Sequence, residues 1–161
     1  MIKHCQFDFC DWWSFGLGLG LFKAPGTMGS VLGIVLAMIA YIMPEAVGLL
    51  WLVGLTAFSW IACQRTFIKV GGVDHKSIVS DEVVGMIWAL YGVPLSGSMV
   101  LVGFLLFRFF DIVKPWPISF IDRMEHWGAH AVMLDDVAAA ICTNIVLQYY
   151  YHYDALAALI F

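Results

Sequence analysis

Four stretches of this chain carry no Asp, Glu, Lys or Arg: residues 24–44, 46–64, 83–107 and 137–153. Each is close to the roughly 20 residues that an α-helix needs to cross the hydrocarbon core of a bilayer. The chain is 62% hydrophobic and 12% charged, with a mean hydropathy of +0.88. That is about half the charge of an ordinary soluble domain. A chain of 161 residues cannot hide so much apolar surface in one water-soluble core. One domain, spanning residues 1–161 and built from membrane-embedded helices, is therefore expected.

Four plain crossings would create a contradiction. Segments 65–82 and 108–136 hold 14 of the 20 charged residues, and four crossings would put them on opposite sides of the bilayer. Two breaks offer a way out. Met43-Pro44-Glu45 interrupts the first long apolar region, and Gly92-Val93-Pro94-Leu95-Ser96-Gly97 interrupts the third. Proline removes a backbone donor and glycine loosens the chain, so both read as turns. The predicted membrane segments are then about 28–43, 46–64, a broken hairpin over 83–107, and 134–151. Exposed backbone at such a break must be covered by neighbouring protein or reach the interface. All eight Lys and Arg (Lys3, Lys23, Arg65, Lys69, Lys76, Arg108, Lys114, Arg123) fall on one side, leaving Glu45 and Asp154 opposite. By the positive-inside rule that side is cytoplasmic, and Tyr149-Tyr150-Tyr151 suits the far interface. The expected fold class is all-α, a polytopic membrane helical bundle with short, broken hairpins and an acidic site on its cytoplasmic side.

A net charge of −4 offers no basic stripe for phosphate backbones, so no nucleic-acid partner is expected. Cys5, Cys10, Cys63 and Cys142 lack metal-ligand spacing. The opening MIKHCQFDFCDWW, with Asp8 and Asp11, has no apolar core of a signal peptide, and cleavage is not expected.

The chemistry-bearing residues fall in four clusters. Ser80-Asp81-Glu82 opens a helix, where acids in the first turn are also ordinary capping. Asp111 and Lys114 share a helical face just before Pro115 and Pro117, consistent with an ion pair at a membrane boundary or with function. Asp122 and His126 stand four residues apart, a spacing that suits metal ligation or a solvated helix face. Asp135 and Asp136 lead straight into an apolar helix, where carboxylates are costly and mark function by default. Carboxylates without Cys or paired His suit a hard cation such as Mg²⁺ rather than zinc. Arg108, Lys114 and Arg123 supply positive charge for a phosphate. Metal, carboxylates and basic residues together are the parts of phosphoryl transfer.

The glycine-rich stretch from Gly16 to Ser30 is neither a dinucleotide fingerprint nor a P-loop. Thr27 and Ser30, in Pro25-Gly26-Thr27-Met28-Gly29-Ser30, could border an anion site at a helix N-terminus. Close helix packing through small residues explains the stretch equally well.

Taken together, PGTMGS (25–30), IVSDEVVGM (78–86), FRFFDIVKPWPIS (107–119), Asp122-Arg123 and MLDDVAA (133–139) resemble the motifs of the phosphatidylglycerophosphatase A family. They run in the family's order and cover nearly the whole chain. The resemblance implies a bacterial inner-membrane enzyme that converts phosphatidylglycerophosphate to phosphatidylglycerol with Mg²⁺. It also implies an acidic site on Asp81, Glu82, Asp111, Asp122, Asp135 and Asp136, with Lys114 beside it. The chain departs from the family pattern at Glu125–His130, usually glycine-rich, and at His75, where proline usually follows the residue equivalent to Asp74.

The expected mechanism has carboxylates from several helix ends holding the metal while Lys114, with Arg108 or Arg123, grips the phosphate. Water is favoured as nucleophile over a phosphorylated Asp, because the chain lacks the Asp-x-Asp pair of aspartyl-phosphate phosphatases. Two rivals stay open: an enzyme like the CDP-alcohol phosphotransferases, whose long Asp pattern is absent, and a carboxylate-lined membrane transporter.

Overall fold

The computed structural model describes residues 8–72 and 75–160, without the side chains of residues 125 and 154–160. Lys3, Cys5, Asp74 and the side chains of Glu125 and Asp154, invoked above, lie outside what is described. Among the described residues the chain is all-helical: α1 (Phe9–Ser14), a 3₁₀ segment (Gly16–Leu21), α2 (Pro25–Tyr41), α3 (Glu45–Lys69), α4 (Ser80–Leu90), α5 (Gly97–Val113), α6 (Ile118–Asp122), a 3₁₀ turn (Glu125–Trp127) and α7 (Ala129–Ile160). Both sequence breaks are turns between helices: 42–44 separates α2 from α3, and 91–96 separates α4 from α5. The last helix starts at Ala129 rather than near residue 134, since the run from Ala129 to Leu134 contains no helix breaker. Asp135 and Asp136 therefore sit in its second turn, not at its mouth.

The molecule is apolar on the outside as well as the inside. Val31, Val35 and Met38 on α2, Leu50 and Val53 on α3, Leu101 and Leu105 on α5, and Ile141 and Ile145 on α7 are all exposed. Such a surface suits lipid rather than water. Two helices, α3 and the Ala129–Tyr153 part of α7, are long and apolar enough to cross a membrane. At 17 residues α2 is shorter, and α4, with 11 residues, spans only about 16 Å.

The short helix α4 is the centre of the bundle. Nine of its residues are buried, enclosed by α2, α3, α5 and α7. Its contact with α2 is made by glycine. At Gly33 an added Cβ would stand 2.7 Å from both the Met86 Cβ and the Val83 carbonyl oxygen, so the two backbones meet only because no side chain intervenes.

The break after α4 leaves carbonyls without helical donors, and α7 supplies the missing ones. Asn144 Nδ2 donates to the carbonyls of Tyr91 at 2.7 Å, Ala89 at 3.1 Å and Trp88 at 3.3 Å. Gln148 Nε2 donates to the Gly92 carbonyl at 3.0 Å. The polar side chains of an otherwise apolar helix thus cover the interrupted backbone. Replacing Asn144 by Leu should cost about 2 kcal/mol, since buried carbonyls lose their donor. Thermal unfolding in detergent should register this as a fall of roughly 4–8 °C. An unchanged melting temperature would mean that α4 does not need this cap.

At the other end, α1 is pinned to α3. The buried Asp11 carboxylate accepts from Thr66 Oγ1 at 2.8 Å and from Lys69 Nζ at 2.7 Å. Ser14, the last residue of α1, accepts the Val79 N–H on its carbonyl at 2.8 Å. Val79 is the residue immediately before α4, so the amino-terminal helix helps to seat the segment that carries Asp81 and Glu82.

Candidate active site

The first turn of α4 carries Asp81 and Glu82. The N-cap position is Val79, with no side-chain cap hydrogen bond, and the Ser80 hydroxyl is buried without a hydrogen-bond partner. The second turn of α7 brings Asp136 to the same place. One carboxylate oxygen from each of Asp81, Glu82 and Asp136 lies within 4.8 Å of the other two. Glu82 Oε2 and Asp136 Oδ2 are buried without a hydrogen-bond partner. Three carboxylates so close repel one another, and burial strips them of the water that would screen the repulsion. A small divalent cation relieves both problems, and an all-oxygen donor set matches Mg²⁺ or a similar hard ion. The residues present fit such an ion.

The remaining acids are held by cations. Arg108 Nη1 lies 2.5 Å from Asp111 Oδ2 and 3.9 Å from Glu82 Oε1. Lys114 Nζ bridges Asp122 Oδ1, at 2.5 Å, and the Asp135 carboxylate. These pairings differ from the helical spacing. Asp111 pairs back to Arg108, three residues earlier, rather than forward to Lys114. Lys114 instead closes α5 in the left-handed conformation, φ 45° and ψ 58°, which turns its side chain onto α6 and α7. A non-glycine residue there costs about 1 kcal/mol, offset by its two ion pairs. Burial disfavours the Lys114 ammonium, but Asp122 and Asp135 outweigh it and hold its pKa above the ordinary lysine value.

All six carboxylates, with Arg108 and Lys114, line one cavity of about 780 Å³. Its wall also includes Gly26 and Thr27 from the first turn of α2, Phe67 at the end of α3, and Gly128. At Gly26 an added Cβ would meet Glu82 Oε1 at 2.4 Å and the Arg108 guanidinium at 2.9 Å. The glycine lets the α2 N-terminus approach the acidic cluster. Within the glycine-rich stretch, Gly29 packs against the chain before α4, where an added Cβ would stand 2.9 Å from the Val79 Cβ and carbonyl oxygen, and Gly26 and Thr27 border the cavity.

Two predicted phosphate-side residues are not brought to the cavity wall. Ser30 is buried and donates its hydroxyl to the Gly26 carbonyl at 2.9 Å. Arg123 is exposed at the end of α6 and does not line the cavity. Asp122 and His126 do not share a helical face, because α6 ends at Asp122 and His126 lies in the following 3₁₀ turn. Lys76, from the loop before α4, does line the cavity. Nothing in its local sequence except charge distinguishes it from other interfacial lysines.

Comparison with known proteins supplies the context. A family model described as phosphatidylglycerophosphatase A matches residues 12–151. A Haemophilus influenzae protein named phosphatidylglycerophosphatase A is 41% identical over 138 residues, covering 83% of this chain and 82% of the relative. An Escherichia coli protein of the same name is 35% identical over 147 residues, covering 89% and 84%. A Bacteroides thetaiotaomicron protein provisionally named a phosphatidylinositol-3-phosphatase is 36% identical over 141 residues, covering 83% and 86%. No solved structure matches the chain. With acidic residues from α4, α5, α6 and α7 gathered on one cavity, and a match over most of its length, the chain belongs to the phosphatidylglycerophosphatase A family.

Proposed function

We propose that the chain hydrolyses the terminal phosphomonoester of phosphatidylglycerophosphate at the acidic cavity, releasing phosphatidylglycerol and inorganic phosphate in glycerophospholipid synthesis. The observation that carries this is the meeting of Asp81, Glu82 and Asp136 within 4.8 Å, on a cavity that also holds Arg108 and Lys114. Asp81, Glu82 and Asp136 would hold Mg²⁺, which supplies Lewis-acid stabilisation of charge on the phosphoryl oxygens. Arg108 and Lys114 contribute positive charge for the same oxygens, positioned in advance by Asp111, Asp122 and Asp135. Thr27 and the first-turn N–H groups of α2 add neutral donors. Water is the nucleophile: a cavity carboxylate takes its proton as the new bond to phosphorus forms, the P–O bond to the glycerol breaks, and the same carboxyl returns that proton to the leaving glycerol oxygen.

On this reading the chemistry takes place at an inner membrane, with the cavity facing the cytoplasm. The apolar outer faces support embedding, and Lys76, Arg108 and Lys114 at the cavity support that orientation. Two acyl chains remain in the leaflet while the headgroup reaches the cavity. The turns 42–44 and 91–96 then lie toward the opposite leaflet.

The test is phosphate release from phosphatidylglycerophosphate by the purified chain in neutral detergent. Activity should vanish with EDTA and return with added Mg²⁺. Release indifferent to EDTA would remove the metal from the scheme. Turnover only with a CDP-linked lipid would favour a transferase, and no chemistry at all would favour a transporter. Phosphatidylinositol 3-phosphate belongs in the same assay because of the Bacteroides relative's name; preference for it would move the substrate assignment while keeping the reaction.

A further inference from the structure

Of the three cations that line the cavity among the described residues, two are already committed. Arg108 is paired with Asp111 and Glu82, and Lys114 with Asp122 and Asp135. The third, Lys76, is exposed and makes no ion pair among the described residues. It belongs to the loop before α4 and lines the cavity together with Phe67, Gly72 and Gly128. Six carboxylates line the same cavity, yet none of them lies in an ion pair with this exposed ammonium. A lysine here is a mobile point charge on a long stem, suited to an anion that arrives from solution or from the membrane surface.

The substrate assigned above carries two anionic groups, a terminal phosphomonoester and an inner phosphodiester that joins the headgroup to the diacylglycerol. The acidic triad with its cation, Arg108 and Lys114 account for the monoester. Nothing in that set answers the diester charge. We propose that Lys76 binds the inner phosphodiester and so selects substrates with a second phosphate between the reacting group and the lipid anchor. This rests on the assignment of phosphatidylglycerophosphate as substrate. Lys76 is then a specificity residue: it grips a group that does not react, binding ground state and transition state alike, so its loss raises KM and leaves kcat in place.

The test compares wild type, Lys76→Gln and Lys76→Arg in micelles of neutral detergent, where attraction to a charged membrane surface plays no part. Lys76→Gln should raise KM for phosphatidylglycerophosphate about tenfold, the weight of one charge-assisted contact, with kcat kept. Lys76→Arg should restore most of the loss. Inorganic phosphate, which lacks the diester, should inhibit wild type and Lys76→Gln with the same constant. If the phosphate inhibition constant rises in step with KM, Lys76 meets the monoester and the proposal fails. An unchanged KM, or a fall in kcat alone, also overturns it. Wild-type protein that releases no phosphate from phosphatidylglycerophosphate would instead overturn the substrate assignment itself, a result visible before any variant is made.

Discussion

Asp136→Asn is expected to cut phosphate release at least ~10³-fold while making the metal-free protein slightly more stable. The two effects have one cause. Asp136 is buried, and its carboxylate shares a 4.8 Å cluster with those of Asp81 and Glu82. Without a cation, three desolvated acids oppose folding, so removing one charge relieves repulsion. Melting of the EDTA-treated variant should rise by ~2–4 °C, corresponding to about 1 kcal/mol in a chain of this size. With Mg²⁺ the order reverses. Wild type gains stability from the bound ion by mass action, and the variant gains little because a ligand is gone. Activity falls because a misheld cation loses several kcal/mol of transition-state stabilisation. Melting curves with EDTA and with Mg²⁺, run beside the phosphate assay, test all three statements. A variant that kept its rate, or one that Mg²⁺ stabilised as much as wild type, would remove Asp136 from the metal site.

Lys114→Met should damage both stability and rate. Lys114 joins the buried Asp135 to the more exposed Asp122. Methionine preserves the length of the stem but leaves the Asp135 carboxylate without its cation. Breaking a buried pair costs about 3–5 kcal/mol; because Lys114 and Asp122 are partly exposed, screening lowers this to about 2 kcal/mol. The left-handed backbone at residue 114 keeps its own cost, now without the ion pairs that offset it. The melting temperature should drop by roughly 4–8 °C. The rate should fall about 10²-fold, the scale for losing one preorganised charge aimed at the reacting group. Lys114→Arg should recover much of the stability, since charge is kept. A Lys114→Met protein with wild-type melting would show that the bridge contributes nothing to holding α5, α6 and α7 together.

The two helix breaks were legible because they are local. Pro44 and the Gly92–Gly97 run cannot continue a helix whatever surrounds them, and both are turns in the structure. The membership of the acidic cavity was legible too, because six carboxylates in so apolar a chain have few places to go. Their partners were not. Spacing suggested an Asp111–Lys114 pair and an Asp122–His126 face. The structure replaces the first with Arg108–Asp111, and α6 ends before the second can form. Spacing describes neighbours on an unbroken helix, and at residues 113–126 the chain turns repeatedly. Ser30 and Arg123 stand off the cavity wall for reasons that spacing also does not show: a hydroxyl in a helix can bond to its own backbone, and a charged residue at a helix end can face solvent.

The sequence by itself determined that this protein is helical, apolar over much of its length and acidic in a few short segments, because those properties sum over residues without reference to distant neighbours. Only the tertiary structure decided that Asp136, rather than Asp135, joins Asp81 and Glu82, that Asn144 caps a helix more than 50 residues away, and that Lys76 lines the cavity with no ion pair among the described residues. Each depends on how helices far apart in sequence are rotated about their axes. Adjacent residues on a helix point about 100° apart, so the rotation of α7 set by its packing against α4 decides which of the two buried carboxylates meets Asp81 and Glu82.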